Sequence, residues 1–182
     1  MKFTRLSIPD LILVQPHLHQ DVRGYFFESF HQSKFSTFLN QTINFVQDNQ
    51  SFSKKNVLRG MHFQINPCQQ GKLVRVLSGK IFDVAVDLRH ASSTFGQWVG
   101  HTLDDEKQEQ LWIPEGFAHG FYAIQDSVVS YKQTAFYSPQ HEQSIRWNDP
   151  KLLIDWPLLE QPTLSSKDQM ADLFNTQKIY FK

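Results

Sequence analysis

The sequence is almost without cysteine. Cys68 is the only one in 182 residues, so an intramolecular disulfide framework is excluded. A reducing cytoplasm is the expected compartment. Net charge is missing as well: 18 basic residues balance 18 acidic ones. A general nucleic-acid binder concentrates basic excess, so that class is set aside, although local sites for a small anion stay open. No apolar run approaches the roughly 18 residues of a membrane helix, so no membrane association is expected. The first residues carry no apolar stretch of signal-peptide length. There is no glycine-rich loop of the Walker or Rossmann kind, so any nucleotide would be held differently. Linkers, low-complexity stretches and clear internal repeats are also absent. The length fits one domain, residues 1–182, with a substantial core.

What is present is strand character. Phe82, Val84, Val86 and Leu88 alternate with Asp83, Ala85, Asp87 and Arg89, a period of two. Residues 73–77 form another apolar run, and Ser78-Gly79-Lys80 between the two reads as a hairpin turn. Residues 110–113, 120–124 and 128–135 continue the series. Short strands at close spacing predict an all-β sandwich or barrel rather than βαβ units. Helix is sparse. Phe35, Phe38 and Leu39 sit at helical spacing within about residues 32–40, and Ser165-x-x-Asp168 fits a capping box opening a second short helix. Asp149-Pro150 and Trp156-Pro157 mark irregular coil.

Two segments concentrate polar groups. One is Leu111-Trp112-Ile113-Pro114-Glu115-Gly116-Phe117-Ala118-His119-Gly120-Phe121, with a histidine and aromatics around a Pro-x-Gly turn. The other is Val57-Leu58-Arg59-Gly60-Met61-His62-Phe63-Gln64. Both read as strand, tight turn, strand, and together they suggest one cavity built from both halves of a β fold. Metal-binding cupin barrels pair a His-x-His element with a later Pro-x-Gly-x-x-His. Pro114, Gly116 and His119 match the second element. In the first, Gln64 stands where the second histidine belongs, and Gln69 and Gln70 follow instead of a carboxylate. Zinc or iron wants at least three good N, O or S donors. A cupin pocket without its metal is expected, leaving His62 free to act as a base.

Each candidate has a plain structural alternative. His62 is either a satisfied histidine or, with Arg59 and Lys72 nearby in sequence, a functional one. Lys72 shares strand parity with Val74 and Val76. If those valines face the interior, Lys72 does too, and an inward lysine needs an anion; the opposite parity leaves it in water. Tyr131 is either a packing residue of its strand or an acid. Asp168 either caps a helix or orients His62, fixing its tautomer. His119 is a ligand to substrate or a turn residue. Arg23 is a solvated arginine or, with Arg59, one half of a diphosphate clamp, since guanidinium forks match phosphate oxygens.

Taken together these blocks resemble the dTDP-4-dehydrorhamnose 3,5-epimerase family. The likeness runs from Asp21-x-Arg23-Gly24-x-Phe26-x-Glu28 through Gln47-Asp48-Asn49, the Arg59-Gly60-Met61-His62 segment and Gly71-Lys72-Leu73-Val74-Arg75. It continues through the alternating strand at Phe82, Thr94-Phe95-Gly96-Gln97-Trp98, the Pro114 segment, Tyr131-Lys132, Ile145-x-Trp147-Asn148-Asp149-Pro150 and Leu164-Ser165-x-Lys167-Asp168. The resemblance implies an all-β, cupin-type double-stranded jelly-roll barrel with a few short helices, working as a homodimer without metal or other cofactor. It implies His62 as the proton-abstracting base, Asp168 as its partner, Tyr131 as the proton donor on the other face, and Lys72 as the group stabilising an enolate. Arg23 and Arg59 would hold the diphosphate of a nucleotide-linked keto sugar. Glu28, Gln47, Asn49, His119, Glu142 and Lys167 would line the nucleotide and sugar sites. Relatives that invert one carbon, or take another nucleotide-linked 4-keto sugar, keep most of this pattern. A metal-dependent cupin enzyme and a non-catalytic sugar-nucleotide binder are the alternatives from other classes.

Overall fold

The computed structural model describes residues 1–181. β1 (Lys2–Arg5), β2 (Ile12–Gln15), β3 (His19–Asp21) and β4 (Gly24–Phe26) precede α1 (Gln32–Leu39) and β5 (Gln47–Ser53). Next come β6 (Leu58–Gln64), β7 (Lys72–Ser78), β8 (Lys80–Asp87), β9 (Trp98–Asp104) and β10 (Gln110–Ile113). β11 (Phe117–Ala123), β12 (Ser127–Gln133), β13 (Glu142–Ser144) and α2 (Ser166–Gln169) follow. One sheet runs β1-β2-β10-β7-β12-β5 and a second β13-β6-β11-β8-β9, while β3 and β4 form a separate hairpin. The two larger sheets pack face to face as a cupin-like jelly roll, the expected all-β class. No helix among the described residues is long and apolar enough to cross a membrane.

Three apolar layers hold the sheets. Val74, Val76, Ile81, Leu111, Phe121 and Val129 fill the space between them. Outside the six-stranded sheet, Phe35 of α1 packs on Ile12, Val14, Leu73 and Trp112. Outside the five-stranded sheet, Val84, Val86, Leu88 and Tyr122 lie under Trp147, Trp156, Phe174 and Phe181 of the C-terminal coil. That third layer decides what the alternating strand means. Its apolar parity faces the C-terminal coil, and the other parity, with Ile81, Asp83 and Ala85, faces the barrel interior.

Two turn expectations are corrected. Ser78-Gly79-Lys80 does not close a hairpin: β7 pairs with β10 and β12, while β8 pairs with β9 and β11. Gly79 instead carries the chain from one sheet to the other at φ +89°, where a Cβ would collide with the Asp126 carbonyl. Adjacent β runs signal a bend, but not which strands pair across it. The segment around His62 holds no tight turn either; β6 is one strand. Gly60, at φ +129°, is an irregularity inside it, and a Cβ there would lie 2.5 Å from Gly120 Cα of β11. Both helices form where expected. α1 ends on Asn40 in the left-handed region, and Ser165 caps α2 by accepting the Asp168 N–H at 3.1 Å.

Candidate active site

A cavity of about 510 Å³ opens between the two sheets. His62 and His119 project into it from β6 and β11 of the five-stranded sheet. Ser51, Lys72 and Tyr131 project from β5, β7 and β12 of the six-stranded sheet. The parity of β7 is thereby settled. Val74 and Val76 lie in the inter-sheet core, so Lys72 faces inward, while Leu73 turns out toward α1. Among the described residues the Lys72 ammonium makes one hydrogen bond, to the His62 carbonyl at 3.4 Å. Burial lowers its pKa to about 8, because desolvation disfavours the charged form.

His62 Nε2 lies 2.5 Å from Asp168 Oδ1. The histidine side chain is 29% exposed and the carboxylate only 3%. An Nε2–H donated to Asp168 leaves Nδ1 as the ring's acceptor nitrogen. Burial pushes the Asp168 pKa up, but the hydrogen bond and charge of His62 hold it below the ordinary value. The capping box is thus only half used. Ser165 caps α2, while the Asp168 carboxylate turns away from the helix to the imidazole.

A second histidine–carboxylate pair lies beside the first. His119 is opposite His62 in the β6–β11 register, and its Nε2 is 2.6 Å from Asp83 Oδ1. Burial lowers the His119 pKa, which favours the neutral ring. Asp83 was not expected from the sequence. It lies on the inward parity of β8, and that parity became readable only once the C-terminal coil was seen to cover the apolar one. Tyr131 faces His119 edge-on, with ring centres 6.2 Å apart, and its hydroxyl is 2.9 Å from Ser51 Oγ. Burial raises the Tyr131 pKa above its ordinary value, which keeps the phenol protonated.

At the mouth, Arg59 is tethered through Nε to Ser53 Oγ at 2.8 Å and through Nη2 to the Phe52 carbonyl at 3.0 Å. Gln47 donates to Asn49 at 2.9 Å and accepts the Tyr137 N–H at 2.9 Å. Glu142 accepts the Tyr137 hydroxyl at 2.8 Å and pairs with Lys167 at 2.5 Å. Tyr137 is a second residue that sequence reasoning missed, since it stands on an irregular segment without a strand pattern. Gln47 and Lys167 bond to lining residues without lining the cavity themselves, and two other expected residues are not brought to it within one chain. Arg23 is 86% exposed, bonded to Asp21 at the tip of the β3–β4 hairpin, and Glu28 pairs with Lys34. Gln64, at the position a metal-binding cupin gives to histidine, uses its amide otherwise. It donates to the Cys68 and Phe136 carbonyls and accepts the Ser138 N–H. No group of three His, Cys, Asp or Glu side chains suited to a metal ion occurs among the described residues.

The family model for dTDP-4-dehydrorhamnose 3,5-epimerase matches residues 5–176. The dTDP-4-dehydrorhamnose 3,5-epimerase of Pseudomonas aeruginosa is 53% identical, over 96% of this chain and 96% of its own. That of Salmonella typhimurium is 51% identical over 94% of each. The structure of the dTDP-6-deoxy-D-glucose-3,5-epimerase of Legionella pneumophila, in complex with dTDP-4-keto-L-rhamnose, superposes with a TM-score of 0.91 at 50% identity. It covers 94% of this chain and 92% of that one.

Proposed function

The chain belongs to the dTDP-4-dehydrorhamnose 3,5-epimerase family, and from that premise we propose how its residues carry the reaction. It is an isomerase that inverts C3 and C5 of dTDP-4-dehydro-6-deoxyglucose to give dTDP-4-dehydrorhamnose, in rhamnose biosynthesis. One observation carries the mechanism: the histidine–carboxylate pair and the protonated tyrosine stand on opposite walls of one cavity. Inversion needs a base on one face of the sugar and an acid on the other.

The C4 ketone acidifies the hydrogens on C3 and C5. His62 takes one through Nδ1, and Asp168 stabilises the imidazolium. Charge moves to the carbonyl oxygen, where the Lys72 ammonium meets it; one such donor contributes ~10²–10³ in rate. Tyr131 returns a proton from the other face. The ketone is the electron sink, so the chemistry calls for no redox cofactor. Arg59 holds the diphosphate, whose binding energy orients the sugar. Asn49, Gln47, His119, Glu142 and Lys167 line the nucleotide and sugar sites.

Arg23 and Glu28 complete the site of a second copy of the chain. The hairpin that carries Arg23 exposes Val22, Tyr25 and Phe26, apolar side chains that a homodimer would cover. The lone Cys68 is free, which suits a reducing cytoplasm. The test is incubation with dTDP-4-dehydro-6-deoxyglucose in D₂O, followed by NMR. Deuterium at C3 and C5 with both centres inverted is expected. Label and inversion at one carbon would make the chain a one-carbon epimerase, and binding without exchange would make it a carrier.

A further inference from the structure

Among the described residues, Tyr131 has a single side-chain hydrogen-bond partner, Ser51. Ser51 lies on β5, the strand paired with β12, and lines the cavity. We propose that Ser51 relays protons between solvent and Tyr131, resetting the acid between the inversions at the two carbons. This deepens the assignment of Tyr131 as the acid and rests on it.

The need for a relay follows from proton balance. Each inversion leaves His62 protonated and Tyr131 deprotonated, so a second inversion on the same sugar cannot begin until both are reset. Burial disfavours the tyrosinate, and the Ser51 hydroxyl, at 2.9 Å, is the donor within reach. In the step, the Ser51 O–H bond breaks as the Tyr131 O–H bond forms. Ser51 Oγ takes a proton from a water molecule, and the hydroxide left behind is neutralised by the proton that His62 releases to solvent. Atoms and charge balance without a co-reactant. The same bond has a use before the chemistry. With Ser51 as donor, the Tyr131 oxygen accepts, and its own O–H is left to point at the substrate. Ser51 has no other side-chain hydrogen bond among the described residues, and the phenol lies diagonally from it across the β5–β12 ladder, Tyr131 being opposite Asn49 and Ser51 opposite Val129.

The test compares Ser51→Ala and Ser51→Thr, each alone, and Ser51→Ala in a Tyr131→Phe background, by NMR in D₂O with dTDP-4-dehydro-6-deoxyglucose. Ser51→Ala should lower kcat about tenfold, the equivalent of one hydrogen bond in the transition state, and accumulate singly inverted sugar. Ser51→Thr, which keeps the hydroxyl, should retain most of the rate. Imidazolium buffer should raise the Ser51→Ala rate while leaving the native rate unchanged. Adding Ser51→Ala to Tyr131→Phe should change nothing further, since residues acting through one group do not add. Native kcat in Ser51→Ala without singly inverted sugar would overturn the relay. So would a loss that persists at full size in the Tyr131→Phe background and ignores buffer. If instead Tyr131→Phe inverts both carbons at the native rate, the acid itself has been misassigned, and that failure is read from a different variant.

Discussion

At the scale of single residues, the site is a set of groups whose protonation is fixed by surroundings. Lys72 is charged below about pH 8 and neutral above it. The charged form stabilises the enolate, so kcat/KM, which reports the free enzyme, should be highest below pH 8 and fall as pH rises through that value. In Lys72→Arg the cation does not titrate, and this limb should vanish although the rate is lower. A native profile flat through pH 8 would remove Lys72 from the role. His62→Asn should lose ~10²–10⁴ in kcat, the usual contribution of a positioned base, and show no deuterium exchange, while calorimetry still detects the sugar nucleotide. Exchange at the native rate would mean that another group is the base. Much of this was legible in the sequence. The parity shared by Lys72, Val74 and Val76 offered two orientations, and a core between two sheets selects the inward one. Asp83 was not legible. Its strand alternates cleanly, but the apolar side of that alternation faces a covering coil, so the usual equation of apolar with interior pointed the wrong way.

At the scale of elements, short pieces position the chemistry. α2 has four residues, too few to be stable alone. It is held by its Ser165 cap and by the Asp168–His62 bond. Ser165→Ala should cost ~0.5–2 kcal/mol of stability, the usual worth of an N-cap. It should also lower kcat more than it changes KM, because the carboxylate that orients the base loses its mount. Thermal melting and steady-state kinetics check the two effects; an unchanged kcat would mean that Asp168 is held by other contacts. Element positions were largely readable, from the 110–113 strand to the helix near Phe35. Their pairing was not. Ser78-Gly79-Lys80 has the chemistry of a hairpin turn, yet β7 finds its partners in β10 and β12 and β8 in β9 and β11. Hydrogen bonds between strands far apart in sequence leave no local trace.

At the scale of the whole molecule, the hairpin of β3 and β4 makes a prediction about assembly. If its Arg23 serves a neighbouring subunit, then His62→Asn and Arg23→Ala chains are each impaired alone but complement each other. A mixed dimer holds one site with both native residues and one with both changed. Mixing the two variants under conditions of subunit exchange should restore activity above either alone. No recovery, in a mixture shown to contain mixed dimers, would confine Arg23 to its own subunit. The bond between His62 and Asp168 has a consequence of a different kind. The two residues are 106 positions apart, and β7 to β13 all lie between them. A growing polypeptide that has emerged from the ribosome only as far as β13 therefore possesses the walls of the cavity but no oriented base. Competence arrives only once α2 has been made and its carboxylate has reached the imidazole.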